Sequence, residues 1–259
     1  MPSSLPLASF YGGRVLNFAH RGASHDAPEN TLASFRLAAQ QGADGIELDV
    51  TLSADGEVVV IHDDTVDKTT DGTGVVQELT LAELKAFDAG SYFGPEFAGE
   101  RIPTLNEVFE AVGQQLLINV ELKGLGWQQD GLERKVADLI ARHRLEKRVL
   151  ISSFNPIRLH RMRRVAPHLP LGFLHDWDTP VHLRWLARLL LTGVRPEADH
   201  PHLSHVTRGY VAQARRRKQR VHVWVVNDPA EMRRMIEAGV DLIMTDRPDV
   251  LHAVLHGEL

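Results

Sequence analysis

Strand-like and helix-like runs alternate along almost the whole of this 259-residue chain, and such alternation predicts an α/β fold with a parallel sheet. Two further observations narrow the prediction. Eight candidate strands can be marked out, the number at which a parallel sheet with intervening helices closes into a barrel. The length suits one barrel domain, residues 1–259, rather than two smaller domains.

The candidate strands run in order as Arg14 to Ala19, Gly45 to Thr51, Leu116 to Leu122, Arg148 to Ser152, Leu171 to Leu174, Arg195 to His200, Val221 to Val226 and Asp241 to Thr245. After the second strand, Ser53-Ala54-Asp55-Gly56-Glu57 carries the Asp-Gly signal of a hairpin. With Asp55 and Gly56 as a two-residue turn, Ala54 pairs with Glu57, and the returning arm Val58 to His62 places His62 opposite Asp49. The helices are punctuated as helices should be. Asn30 or Thr31 can cap a helix carrying Leu32, Phe35 and Ala39, which Gly42 ends. Thr80 with Glu83 and Thr104 with Glu107 read as capping boxes, and Asn155-Pro156 and Asp228-Pro229 as helix starts. Residues 63–101, from Asp63 to Arg101, are too long for an ordinary connection. They are expected to form an insertion roofing the barrel mouth, with Phe87, Tyr92, Phe93 and Phe97 packing it down.

Composition excludes several functions. Hydrophobic residues make up 43% and charged residues 24%, enough for a substantial core, so disorder is expected only in the first dozen residues. No cysteine is present, which removes disulfides, thiolate metal sites and a cysteine nucleophile. A net charge of −5 argues against nucleic acid as a partner, since the basic run Arg215 to Arg220 ends a helical pattern where cations are at home. Nowhere do eighteen apolar residues run together, and Met1 to Gly13 carries no leader pattern. These features predict a cytoplasmic protein, monomer or homodimer, with no stable membrane insertion.

The chemistry gathers where barrels place it, at the C-terminal ends of the strands. His20 and Arg21 end the first strand, Glu47 and Asp49 lie two apart on the second and so share a face, Glu121 and Lys123 end the third, and His62 closes the hairpin. Two carboxylates about 4 Å apart at an effective dielectric near 20 repel by roughly 4 kcal/mol, so three at one mouth call for a cation. Oxygen ligands favour Mg²⁺ or Ca²⁺, and a histidine contact would admit Mn²⁺ or Zn²⁺. A cation, a fixed arginine and a pair of histidines titrating near neutrality are what hydrolysis of an anionic phosphate ester needs. Phe154, after the fourth strand, and Trp224, at the end of the seventh, are the substrate-binding candidates among the aromatics. His200, His202 and His205 have metal-like spacing but are expected to decorate a loop. The apolar run Val181 to Leu191 reads first as core, then as a subunit or lipid-facing surface.

These residues stand in an ordered series: His20-Arg21-Gly22 with Pro28-Glu29-Asn30-Thr31, Gly45 to Val50, Val58 to Asp64, Thr69 to Gly74, Ile102-Pro103-Thr104-Leu105, Asn119 to Lys123, Ser153-Phe154-Asn155, Val223 to Asn227 and Gly239 to Asp246. The series resembles the glycerophosphodiester phosphodiesterase family, in particular its soluble bacterial branch; Asp176 to Pro201 departs most from the pattern. The resemblance implies a TIM (β/α)8 barrel with a small insertion after the second-strand hairpin, and hydrolysis of a small glycerophosphodiester to glycerol 3-phosphate and an alcohol. It further implies His20 and His62 as general acid and base, Glu47, Asp49 and Glu121 as ligands of one divalent cation, and Arg21 and Lys123 as phosphate contacts. The nucleophile would be water or the neighbouring glycerol hydroxyl. Two competing readings are a barrel phosphodiesterase acting on lysophospholipids, which should show an apolar mouth, and a non-catalytic module that binds phosphorylated metabolites, which would not need a paired acid and base.

Overall fold

Residues 8–124, 130–176 and 191–259 are described by a computed structural model of the chain. Of the run Val181 to Leu191, all but Leu191 lies outside the described residues, as do residues 1–7.

Eight parallel strands close into a barrel. They are β1 (Leu16–His20), β2 (Gly45–Leu52), β4 (Leu117–Leu122), β5 (Val149–Ser153), β6 (Leu171–His175), β7 (Ala198–Pro201), β8 (Arg220–Val223) and β9 (Leu242–Thr245). Each pairs with the next in this order, and β9 closes on β1. The hairpin arm β3 (Val58–Val60) lies antiparallel on the far end of β2. Helices α2 (Leu32–Gln40), α4 (Leu105–Val112), α5 (Leu132–His143), α6 (Pro156–Val165), α7 (Arg208–Arg216), α8 (Pro229–Ala238) and α9 (Pro248–His256) follow strands, while α1 (Ala8–Tyr11) precedes them and α3 (Leu81–Ala86) sits in the insertion.

Strand alternation sorts the side chains. On β2, Ile46, Leu48 and Val50 face out into the layer shared with the helices, which sends Gly45, Glu47 and Asp49 inward. On β4, Ile118, Val120 and Leu122 likewise face out, sending Asn119 and Glu121 inward. The inner file is made by Leu16 and Phe18 of β1, Leu150, Ala198, Leu242 and Met244. Gly45 is glycine because a Cβ there would stand 2.5 Å from the Phe18 ring.

Helix starts behave as the sequence predicts. Thr31 rather than Asn30 caps α2, and the boxes at Thr80 and Thr104 both form, each cap contributing about 1 kcal/mol. Asn30 is turned instead into the site, with φ 57°.

Four expectations need correction. The hairpin loop has three residues, not two: Ser53 pairs with Glu57 through Ser53 N to Glu57 O at 3.0 Å, and only Gly56 has positive φ. Asp55 would need positive φ too in the two-residue turn; instead its carboxylate bonds the Ser53 hydroxyl at 2.6 Å. The ladder is therefore shifted by one, with Ile61 N donating to Asp49 O, and the strand ends at Val60. His62 reaches the site because the chain turns out of the ladder. Second, order reaches into the first dozen residues, for Phe10 and Tyr11 are buried against Phe18 and His222 at the base of the barrel. Third, His200 is no loop residue: alternation on β7 sends it to the interior, where its ring centroid lies 4.5 Å from that of His222. Gly172 makes room for it, since a Cβ there would stand 2.2 Å from His200 Nε2.

Fourth, the insertion packs differently from expectation. Val66, Val76, Leu84 and Ala89 form its own small core with Val59, Ile61 and Ile102, and Phe87 packs on it. Tyr92 and Phe93 are 43% and 38% exposed and run edge to face with Phe97. Asp88 holds this loop through the amides of Gly90, Ser91 and Gly99, leaving the aromatics on the surface.

Candidate active site

At the C-terminal end of the barrel, Glu47, Asp49 and Glu121 each present an oxygen within 4.8 Å of the others, all three side chains being buried. The strands dictate this meeting. Glu47 pairs with Asn119 and Asp49 with Glu121 in the β2 and β4 register, so two inward files stand side by side.

Three such groups cannot all ionise against one another. Burial, with Asp49 and Glu121 nearby, lifts Glu47 well above the usual carboxylate range. Glu121 is pushed up to about 7 by burial and by Asp49, against the pull of Lys123. Burial would raise Asp49 as well, but Lys123 and Arg21 outweigh it and hold that carboxyl at about 2. The cations are in contact. Lys123 Nζ stands 3.0 Å from Glu121 Oε1 and 3.4 Å from Asp49 Oδ1, and Arg21 Nε lies 3.4 Å from Asp49 Oδ2. Asn30 Nδ2 donates to the same Asp49 oxygen at 3.0 Å, and Glu29 accepts from Arg21 Nη1 at 2.9 Å.

Each histidine is held by a carboxylate. His20 Nδ1 lies 2.7 Å from Asp246 Oδ1, leaving Nε2 directed to the triad at 4.0 Å from Glu47. Asp246 is itself fixed by Ser24 Oγ and Asn227 Nδ2. His62 Nδ1 lies 2.5 Å from Asp63 Oδ1, and burial, with Lys123 and Arg21 adding to it against Asp49, lowers the His62 pKa. Both rings thus turn Nδ1 to an aspartate. After β5 and β8, Phe154 and Trp224 meet edge to face at 5.5 Å, with Trp224 Nε1 donating to His200 O.

All nine residues singled out in the sequence therefore lie at this end of the barrel. Sequence reasoning assigned no part in the site to Asp246, Asp63 and Glu29, and read Asn30 only as a candidate helix cap. Asp63 directly follows His62, and Asp246 continues the inward file of β9 two residues past Met244; both positions were readable signals. His200, His202 and His205 do not assemble: His202 caps a turn through Ser204 N, and among the described residues only the acidic triad forms a metal-sized cluster.

Residues 20–250 match the model of the glycerophosphoryl diester phosphodiesterase family. The chain belongs to that family. A glycerophosphodiester phosphodiesterase of Caldanaerobacter subterraneus subsp. tengcongensis is 44% identical to it over 243 residues, covering 92% of this chain and 96% of the relative. Among solved structures, a phosphodiesterase of Oleispira antarctica in complex with the product sn-glycerol-3-phosphate is 33% identical with a TM-score of 0.82, covering 96% of this chain and 98% of that one. A family member from Silicibacter pomeroyi is similar at TM-score 0.84 and 29% identity, covering 95% and 94%. The phosphodiesterase fold of these relatives is the barrel described above. No described helix of the chain is long and apolar enough to cross a membrane.

Proposed function

We propose that this phosphodiesterase hydrolyses a glycerophosphodiester to sn-glycerol 3-phosphate and an alcohol, with His20 and His62 as the acid–base pair and Glu47, Asp49 and Glu121 holding one divalent cation. The observation that carries the reading is a buried carboxylate triad flanked by two histidines, each held by its own aspartate. A buried all-oxygen donor set fits a hard cation such as Mg²⁺ or Ca²⁺. When bound, the cation supplies positive charge at the phosphate.

The chain's own residues do the rest. Arg21 and Lys123 receive phosphate oxygens, the planar arginine fork in a position fixed by Glu29. One imidazole removes the proton of the attacking oxygen and the other protonates the leaving alkoxide, each through Nε2 while its aspartate holds Nδ1. Phe154 and Trp224 form an apolar wall for the carbon skeleton. The chain acts as one domain, and residues 63–101 roof the pocket on the His62 side. Incubation of the protein with glycerophosphocholine and Mg²⁺ or Ca²⁺ should release sn-glycerol 3-phosphate and stop in excess EDTA. Turnover that persists after verified metal removal overturns the metal assignment, and no release with any divalent cation overturns the activity.

A second reading has one observation in its favour. Tyr92 and Phe93 expose an aromatic edge, and the Tyr92 hydroxyl accepts from Glu29 N at 3.2 Å, beside the arginine contact. A lysophospholipid could lay its chain there. Comparing kcat/KM for glycerophosphocholine and lysophosphatidylcholine decides between them, a preference for the lysolipid favouring the second.

A further inference from the structure

Three consecutive carbonyls at the end of β4 are each seized by a side chain from the junction of β5 and α6. Ser153 Oγ donates to Leu122 O at 2.7 Å, Arg158 Nε to Lys123 O at 3.1 Å and Asn155 Nδ2 to Gly124 O at 3.0 Å. From the other side, Lys123 N donates to Val50 O at 3.1 Å. Lys123 is thus pinned at both of its peptide groups.

Arg158 is the unusual member. It is only 4% exposed, and its remaining donors go to Asp130 at 2.6 Å and to the buried Glu133 at 3.1 Å. Asp130 in turn accepts from Leu132 N at the start of α5. One guanidinium therefore ties the strand end that carries Lys123 to the helix that follows. The approach is close, for a Cβ on Gly124, whose φ is 95°, would stand 3.0 Å from Arg158 Nη2. Buried ion pairs are often no more stabilising than apolar residues of the same volume, so stability alone gives little reason to bury an arginine here. A bond from its Nε to the Lys123 carbonyl does give one. The lysine ammonium sits at the end of a flexible stem, and its place between Asp49 and Glu121 is only as well defined as its Cα.

We propose that Arg158, with Asn155, is a positioning residue for Lys123, fixing the backbone from which the ammonium reaches the phosphate. The proposal rests on Lys123 as a phosphate contact. Arg158→Lys keeps a cation for Asp130 and Glu133 but loses the fork that also reaches Lys123 O. Asn155→Asp keeps the helix cap on Ile157 N but loses the donor to Gly124 O, so it tests the same clamp should the first variant fold poorly.

The test is a cycle on the full chain with Lys123→Ala, reading kcat and KM for glycerophosphocholine, calorimetric affinity for sn-glycerol 3-phosphate, and Tm. Misplacing a catalytic group by about 1 Å costs up to about 10²-fold in rate. Arg158→Lys and Asn155→Asp should each lower kcat about tenfold or more and weaken product binding. In the Lys123→Ala background the same changes should cost less than about twofold. An equal loss in both backgrounds, or an unchanged kcat in a folded variant, overturns the positioning role while leaving the phosphate contact standing. If Lys123→Ala itself keeps full kcat and product affinity, the phosphate contact falls and the positioning role with it.

Discussion

His200, which lies outside the proposed acid–base pair, should contribute a loss of stability in acid, opposite in sign to the contribution of the raised Glu47 and Glu121 carboxyls. His200 is fully buried inside the barrel, and neither ring nitrogen meets a hydrogen-bond partner among the described residues. Burial lowers its pKa from 6.5 to about 3, with Asp199 pulling upward and His175 downward. The unfolded chain binds a proton there as the pH falls through 6.5, whereas the folded barrel refuses it until about pH 3. Within that window the unfolded state holds more protons, so stability falls as pH falls. Between pH 7 and pH 5 the loss is about 1.5 pH units at about 1.4 kcal/mol each, or roughly 2 kcal/mol, out of a total of order 5–15 kcal/mol for a typical protein. His222, lowered by burial and then by His200 and Arg220, adds a loss of the same sign. Urea unfolding at pH 7 and pH 5 should show His200→Gln losing about 2 kcal/mol less than the wild type across that interval, whatever the variant's stability at pH 7. An equal change in stability in the two proteins would refute the argument.

Other outcomes follow from the site. Because the triad crowds three carboxylates within 4.8 Å, Mg²⁺ or Ca²⁺ at a hundred times its Kd should raise unfolding stability by about 3 kcal/mol; thermal melts with and without EDTA measure this, and a Glu47→Gln variant that gains as much as the wild type would exclude Glu47 as a ligand. His20→Ala and His62→Ala should each lower kcat by about 10²-fold or more, with unchanged circular dichroism, and either variant at full kcat removes its histidine from the chemistry. Asp246→Asn should lower kcat about tenfold or more, because an amide can hold the His20 ring in the wrong tautomer; an unaltered pH–rate profile would show that Asp246 does not act through His20. Arg21→Lys should cut kcat/KM, since an ammonium cannot keep both Glu29 and a phosphate in one plane, and full kcat/KM would mean that charge alone suffices.

Sequence by itself determined what depends on short-range periodicity. Alternation in Gly45 to Val50 and in Asn119 to Leu122 decided that Glu47, Asp49 and Glu121 face inward, and the count of eight strands alternating with helical runs decided the barrel that brings them together. The caps at Thr80 and Thr104 were legible because a capping box is complete within four residues. Only the tertiary structure decided the rest. The hairpin register turned on the backbone of Asp55, which the Asp-Gly pair alone does not specify, and the burial of Phe10 and Tyr11 required a closed barrel to plug. The exposure of Tyr92 and Phe93 was set by how Asp88 ties its loop. The contact of His20 with Asp246 spans 226 residues, and the clamp of Arg158 on Lys123 joins the first turn of α6 to the end of the neighbouring strand β4. Such contacts depend on where separate strands terminate once the sheet has closed, a global condition that local patterns of side chains do not encode.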